Sequence, residues 1–313
     1  RQFNMMFSTR AGAAEDTSSV VYLRPETAQG MFVNFKNVVD SFHPKIPFGL
    51  GQVGKAFRNE ITPGNFIFRL RELVQMEIEY FIKPENWEEE FETWLNKIKS
   101  FLIDDIGLRK DHLHEYEHSE EERSFYSKKT VDIEFDYPFG QKELYGLAYR
   151  TDYDLAKHSQ ATGVNLSFTD EATNTRFFPH VIEPALGLDR TVLAVLSDAY
   201  REDELGEGTR VYLKLSKNIA PIKVAVFPLA KNKPEIVTKA REVFNMLKKE
   251  MTGVVFDNSG NIGKNYRRQD EIGTPYCVTI DFETIEDEAV TVRDRDTGEQ
   301  KRVKIAELIK VLS

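Results

Sequence analysis

The spacing of apolar and polar residues changes several times along the chain, and each change marks an element. Residues 8–20 are small and polar and read as a loop. Thr27 stands where a hydroxyl caps a helix running to about Val39. Residues 46–57 form an apolar run punctuated by Gly49, Gly51 and Gly54, the pattern of a buried strand. Trp87, Phe91, Trp94, Leu95, Ile98 and Leu102 recur at helical spacing, which predicts a helix over 87–106 and a core stripe. Residues 131–135 alternate apolar and acidic side chains, as a half-buried strand does. Residues 143–148 and 177–183 read as two more strands, followed by an apolar helix from Leu188 to near Tyr200. The charged, Gly-containing segment 201–218 reads as a linker, so domains are expected at 1–215 and 216–313. Beyond it, strands at 222–228, 254–256, 278–282 and 290–293 alternate with helices at 233–249 and 303–312, a small α/β unit. The glycines of 258–268 lack the spacing of a nucleotide fingerprint and read as turns before a basic helix.

The stretch from Gly54 to Tyr80 carries the densest chemistry. Pro63-Gly64 between two runs rich in Ile and Phe predicts an antiparallel strand pair, the second strand returning through Phe66, Phe68 and Leu70. Alternate side chains share a face, which groups Arg58 with Glu60 and Arg69 with Arg71. Guanidiniums grip phosphate in a bidentate fork, and a carboxylate accepts from an exocyclic amine. A ligand with both phosphate and a donor-rich ring suits that face. Taken alone, the same residues also describe a solvated, salt-bridged sheet.

Composition narrows the class. At 313 residues and 41% hydrophobic content the chain suits two domains with real cores. No apolar run reaches the roughly 18 residues of a membrane span. The lone Cys277 excludes an internal disulfide and points to a reducing cytoplasm. The chain opens on Arg1 rather than Met, the expectation for a fragment. The net charge of −9 is uneven. Residues 220–313 hold 16 Lys and Arg against 15 Asp and Glu, leaving 26 against 36 elsewhere. Basic clusters at Lys264, Arg267, Arg268 and at Arg293, Arg295, Lys301, Arg302, Lys304 suit phosphate contacts or, equally, scattered solvated charge. His112, His114 and His118 lie in a very polar stretch without Cys and read as surface histidines before metal ligands.

Phe57-Arg58-Asn59-Glu60, a loop, then Arg69-x-Arg71-Glu72 and Gln75-Met76-Glu77 resemble the second signature of class II aminoacyl-tRNA synthetases, most closely the glycyl-tRNA synthetase family. Arg24-Pro25-Glu26, Thr130 to Glu134, Arg150-Thr151-Asp152-Tyr153-Asp154, Ile182-Glu183-Pro184 to Asp189-Arg190, and Asp270 to Pro275 follow in that family's order and cover almost the whole chain. The resemblance implies an α+β chain: an antiparallel catalytic sheet flanked by helices, then an α/β anticodon-binding domain. It implies glycine, ATP, Mg²⁺ and tRNA(Gly) as ligands, and a homodimer whose interface helix and strand precede Arg1.

The resemblance also assigns roles. Arg58 meets the α-phosphate and the attacking carboxylate, and Glu60 the adenine amino group. Arg190 stacks on the adenine ring and reaches the γ-phosphate. Asn59, Phe68, Arg69, Leu70, Arg71, Glu72 and Leu73 complete the nucleotide site with Leu144, Gly187, Leu188 and Asp189. Glu143 and Glu183 hold Mg²⁺, for which carboxylate oxygens are suited. Glu26, Glu77 and Glu183 take the glycine ammonium, with Arg150 as counter-charge. Val74, Gln75, Met76, Pro184, Ala185 and Leu186 form the rest of that pocket. Three positions depart from the family's pattern: Leu73 replaces an adenine-stacking Phe, Ala185 a glycine-site Ser, and Gln141 a Trp. Two other classes stay open, a non-catalytic synthetase-like subunit of the polymerase-accessory type and a stand-alone tRNA-binding protein. Arg58, Glu60, Arg190 and the three pocket glutamates, which a pure binder has no need of, count against both.

Overall fold

In a computed structural model, which describes residues 4–12, 19–204 and 208–312, the chain forms two compact units. Arg1–Phe101 with Arg109–Ala194 makes the first, and Leu102–Leu108 with Val195–Ser313 the second. The first begins with β1 (Ser8–Arg10), β2 (Val20–Tyr22), α1 (Ala28–Phe42), β3 (Phe48–Phe57), β4 (Glu72–Ile82) and α2 (Trp87–Ser100). There follow β5 (Leu113–Glu117), β6 (Lys129–Tyr137), β7 (Gly140–Thr151), α3 (Tyr153–Thr162), β8 (Phe168–Asp170), β9 (Thr175–Phe177), β10 (His180–Gly187) and α4 (Leu188–Ala199). Six strands form one antiparallel sheet in the order β3-β4-β10-β7-β6-β5.

Strand alternation gives this sheet two different faces. On β7, Tyr145, Leu147 and Tyr149 are buried, and Tyr149 stacks on Trp87 of α2 at 4.5 Å. The helical stripe foreseen from Trp87 buries Phe91, Leu95 and Ile98 of α2, and its last member, Leu102, is buried in the π turn that follows. On the other face, α1 and α3 cover one end of the sheet through Phe32, Phe35, Phe81 and Leu155. Along β4 the same face bears Gln75, Glu77 and Glu79 before it reaches Phe81, so the apolar core passes directly into a polar floor.

The second unit adds β11 (Tyr200–Glu204), β12 (Thr209–Leu213), β13 (Val224–Pro228), α5 (Pro234–Glu250), β14 (Val254–Phe256) and α6 (Ile262–Glu271). It continues with β15 (Tyr276–Ile280), α7 (Thr284–Asp287), β16 (Ala289–Asp294), β17 (Gln300–Lys304) and α8 (Leu308–Leu312). Its sheet, β14-β13-β15-β16-β17, is parallel across its first three strands and antiparallel beyond. Ile236, Ala240, Val243 and Leu247 of α5 pack on Val224, Val226, Val278 and Val290. Beside this core, Asp270 on α6 takes both nitrogens of Arg293 at 2.7 and 2.8 Å and one of Arg210 at 3.2 Å.

Several elements differ from the sequence reading. The return strand starts at Glu72, not at Phe66. Asn65 and Phe66 sit at φ of 52° and 55°, and Gly64 pairs with Arg69 in an isolated bridge, so 58–71 is a loop. Residues 177–183 divide between β9 and β10. The expected linker 201–218 is the hairpin β11–β12 within the second unit; its residues 205–207 lie outside the described set. Residues 13–18 of the loop read at 8–20 also lie outside it, and the ends pair as β1 and β2. The last predicted helix begins as β17.

Candidate active site

A cavity on the first unit's sheet runs along β4, β10 and β7. Its floor is made of Leu73, Gln75, Glu77, Glu183, Ala185, Gly146 and Ala148, alternate residues of three strands. Its acidic end is built around Arg150, which is 1% exposed. Val181 pairs with Thr151 and Ile182 with Tyr149, so Arg150 is the extra residue of a β-bulge. Thr151 sits at φ 57°, a strained position for a β-branched residue. The guanidinium so directed donates two bonds to Glu183 at 2.9 and 3.0 Å and two to Asp154 at 2.8 and 2.9 Å. It also lies 3.9 Å over the Tyr126 ring. Burial works against its charge, but Glu183 and Asp154 hold it firmly protonated.

Thr27, at the N-cap of α1, does not cap the helix with its side chain. Its hydroxyl and its amide N–H both donate to Glu77 Oε2, the latter at 2.9 Å, tying the start of α1 to β4. Glu26 is placed next to this by backbone. Phe57 N donates to Arg24 O and Arg58 Nε to Pro25 O, laying the Arg24-Pro25-Glu26 segment along the end of β3. Gly54 permits the crossing, since a Cβ there would meet Arg24 Nη2 at 2.5 Å. Gln29 bridges Glu26 and Asp154 at 3.0 and 3.1 Å and bonds His158. Burial raises the Glu77 carboxyl, partly offset by Thr27 and reinforced by Glu26. Burial pushes Glu183 up to about 7 despite Arg150, with Glu77 adding to the rise.

The other end is cationic. Arg190, from the first turn of α4, lies 4.4 Å over the Phe68 ring and bonds Phe68 O at 3.3 Å. It also pairs with Glu143 at 2.9 Å. Asp189 accepts from Val74 N at 3.0 Å, which fixes the start of α4 on β4. Phe68 is wedged against Tyr137 and Phe139. Arg58, Glu60, Arg69, Leu70, Leu73, Leu144, Leu186 and Gly187 line the same end or the passage between the two.

Some expected residues lie elsewhere. Arg71 bonds the carbonyls of Glu60 and Ile61, Glu72 pairs with Lys55, and Asn59 donates to Asn4 O. Met76, Pro184 and Leu188 do not line the cavity, the first two because alternation turns them to the opposite face. Gln141 donates to Glu134 at 2.6 Å and also lies off the cavity. Glu143 and Glu183 are not brought together as a metal pair. Glu183 lies opposite Ala148, five residues along β7 from Glu143, or ~16 Å at the usual strand rise. Both Glu183 oxygens accept from Arg150, and at that separation Glu183 and Glu143 do not share one ion. His114 pairs with Asp136 and His118 with Asp132. Arg293 and Arg295 are buried and Arg302 is clamped by Asp281 and Asp287, so these arginines do not form the second phosphate patch. Lys264 and Arg267 are exposed on α6, while Arg268 reaches back to Ser259, Asn265 and Asp257. The sequence reading gave no site role to Thr27, read as a helix cap, to Asp154, quoted only within a signature, or to Gln29, Tyr126 and Glu79. Asp154 was detectable from its four-residue spacing to Arg150, and Glu79 from its alternation with Glu77.

With this geometry in hand, two family models match the chain. The tRNA synthetase class II core domain (G, H, P, S and T) covers residues 12–199, and the anticodon binding domain covers 223–313. The chain is 56% identical over 313 residues to a glycine--tRNA ligase of Clostridium acetobutylicum, covering 100% of this chain and 67% of that protein. It is 52% identical over 314 residues to that of Clostridium tetani, covering 100% and 67%. It is 50% identical over 321 residues to that of Thermobifida fusca, covering 100% and 69%. The chain thus spans about two thirds of the length of these relatives.

Proposed function

The chain belongs to the glycine--tRNA ligases, ATP-using class II synthetases, and on that premise we propose how its cavity divides the work. The carrying observation is that one cavity joins a cationic end, Arg58 and Arg190, to an acidic end, Glu26, Glu77 and Glu183. ATP lies at the first and glycine at the second, with its ammonium among the glutamates. A glycine carboxylate oxygen attacks the α-phosphorus, the bond to the β-phosphate breaks and pyrophosphate leaves. A tRNA hydroxyl then attacks the carbonyl and AMP leaves. The protein's contribution is placement and charge. Arg58 neutralises the α-phosphate beside the attacking oxygen. Glu60 accepts from the adenine amine, and Arg190, held on Phe68, covers the ring. Mg²⁺, which would draw charge from the leaving phosphates, would be met by Glu143, the carboxylate beside Arg190. Selectivity for glycine would require a pocket too small for a methyl group at the acidic end.

The second unit supplies the tRNA-binding surface, with Lys264 and Arg267 of α6 meeting phosphates; the functional division is placed at 1–215 and 216–313, although the compact units part at Val195. A homodimer accords with the resemblance, and β3, at the edge of its sheet, leaves one strand side open to a partner. A reducing cytoplasm accords with the buried thiol of Cys277. Among the described residues no helix is long and apolar enough to cross a membrane. Glycine-dependent ATP–pyrophosphate exchange tests the reading. Arg58→Ala should lower exchange by about 100-fold or more, the scale of losing a charge-neutralising donor, with an unchanged melting curve. Exchange near the parental rate would remove Arg58 from its role.

A further inference from the structure

Glu79 plays no part in the reaction just described, yet it is the most unusual group near it. Its side chain is 0% exposed and neither carboxyl oxygen has a hydrogen-bond partner among the described residues. It shares the buried face of β4 with Glu77. The register of β10 on β4, His180 opposite Ile82 and Ala185 opposite Glu77, sets Glu183 directly across from it. Carboxyls so placed lie about 5 Å apart at their Cβ atoms, and two like charges there oppose folding. The groups acting on Glu79 come from each neighbouring strand and helix: Glu183 on β10, Arg150 on β7, Glu77 on β4 and Asp154 on α3. On β3 its paired neighbour is the uncharged Leu50. Glu26, ahead of α1, acts on Glu77 and Glu183, and His158 of α3 is held by Gln29.

One guanidinium therefore serves a group of five carboxyls. Arg150 gives two bonds to Glu183 and two to Asp154. Glu77 has Thr27 and Gln75, and Glu26 has Gln29. Only Glu79 has no donor, and a buried carboxylate without a donor or a cation is the least stable arrangement in the set. Burial, then the charge of Glu183, hold its carboxyl well above the usual range.

We infer that Glu79 is a positioning residue that carries a proton until the amino acid arrives and releases it when the ammonium enters among Glu26, Glu77 and Glu183. The proton leaves the Glu79 oxygen and ends on solvent buffer. The Glu79 carboxylate that remains is balanced by the new cation. An opposite charge within a few ångströms favours ionisation, which gives the release its direction. Recognition of the ammonium is thereby coupled to a proton, and glycine affinity should rise with pH. This rests on the proposed placement of glycine at the acidic end.

The test is calorimetric titration with a non-hydrolysable glycyl-adenylate sulfamate, in buffers of different ionisation enthalpy, near neutral pH. The parent should release a substantial fraction of one proton per site. The matched ligand with a hydroxyl in place of the ammonium should release none. Glu79→Gln should still bind the ammonium ligand but release clearly fewer protons than the parent, the remainder coming from Glu183, whose carboxyl is itself raised to about 7. Equal release in the variant, or none in the parent, overturns the inference. If the variant does not fold, the parent's infrared spectrum decides. A carboxylic-acid carbonyl band should vanish with the ammonium ligand alone, and Glu79→Asp should shift that band. A band that persists, or that Glu79→Asp leaves unshifted, counts against Glu79. Failure of the sulfamate to bind at all would instead strike the placement of glycine.

Discussion

Glu77 and Glu183 differ in how the protein holds them, and the difference predicts different experiments. Glu77 accepts two bonds from Thr27, which partly offset the rise that burial causes, and one from Gln75. Glu77→Gln removes a charge-assisted contact worth about 1.5–3 kcal/mol. The glycine KM should rise about 10- to 100-fold with the ATP KM little changed, as exchange at varied glycine would report. An unchanged glycine KM would make Glu77 a purely structural anchor for α1. Glu183 is lifted by burial from 4.5 to about 7. The folded chain therefore holds that proton more tightly than the unfolded chain does. Its contribution to stability is complete below 4.5 and is lost as pH rises through about 7. The melting temperature of the parent minus that of Glu183→Gln should fall between about pH 5 and pH 8. A flat difference would show that Glu183 is ionised throughout.

At the scale of elements, loop 58–71 and helix α6 show how local packing redirects a sequence pattern. Phe66, Phe68 and Leu70 alternate as a strand would, yet Asn65 and Phe66 turn left-handed and Phe68 folds back under Arg190. The ladder was lost to a better aromatic contact with Tyr137 and Phe139. On α6, Asn261 caps the helix through Lys264 N, which sets the phase of the basic residues. Lys264 and Arg267 fall outward, whereas Arg268 turns back on Ser259 and Asp257. Changing Lys264 and Arg267 together to Ala should weaken tRNA charging and lower its salt dependence by roughly one to two phosphate contacts. Adenylate formation should be unaffected. A parallel loss in both assays would point to a folding role for the cluster.

For the whole molecule, each unit has its own apolar core and its own buried ionic cluster, Arg150 with Asp154 and Glu183 in one, Asp270 with Arg210 and Arg293 in the other. Removing the shared carboxylate of the second strands the buried Arg293 guanidinium, while Arg210 keeps its pair with Asp203. Asp270→Ala should destabilise that unit by about 3–5 kcal/mol, seen as loss of tRNA charging at temperatures where glycine-dependent exchange persists. Retention of charging and of the parental melting curve would show that Arg293 finds another partner.

The sequence determined the parts that depend on neighbours in the chain. Strand alternation in 131–135, the helical stripe from Trp87 and the ordered signatures around Arg58, Glu183 and Arg190 were legible because their periods and spacings are local. What the sequence left open was which distant residues share a site and which charges are buried. Arg293 and Arg295 looked like surface phosphate ligands and are internal, since burial follows from how β16 and the residues after it pack on other elements. Glu143 and Glu183 looked like one metal pair and stand at opposite ends of a cavity, since strand register, not residue type, sets their distance. The bulge at Arg150 and the pairing of Glu79 with Glu183 likewise come from register between strands far apart in sequence. Only the assembled sheet fixes it, because a backbone ladder specifies nothing about its partner until both faces have something to bury.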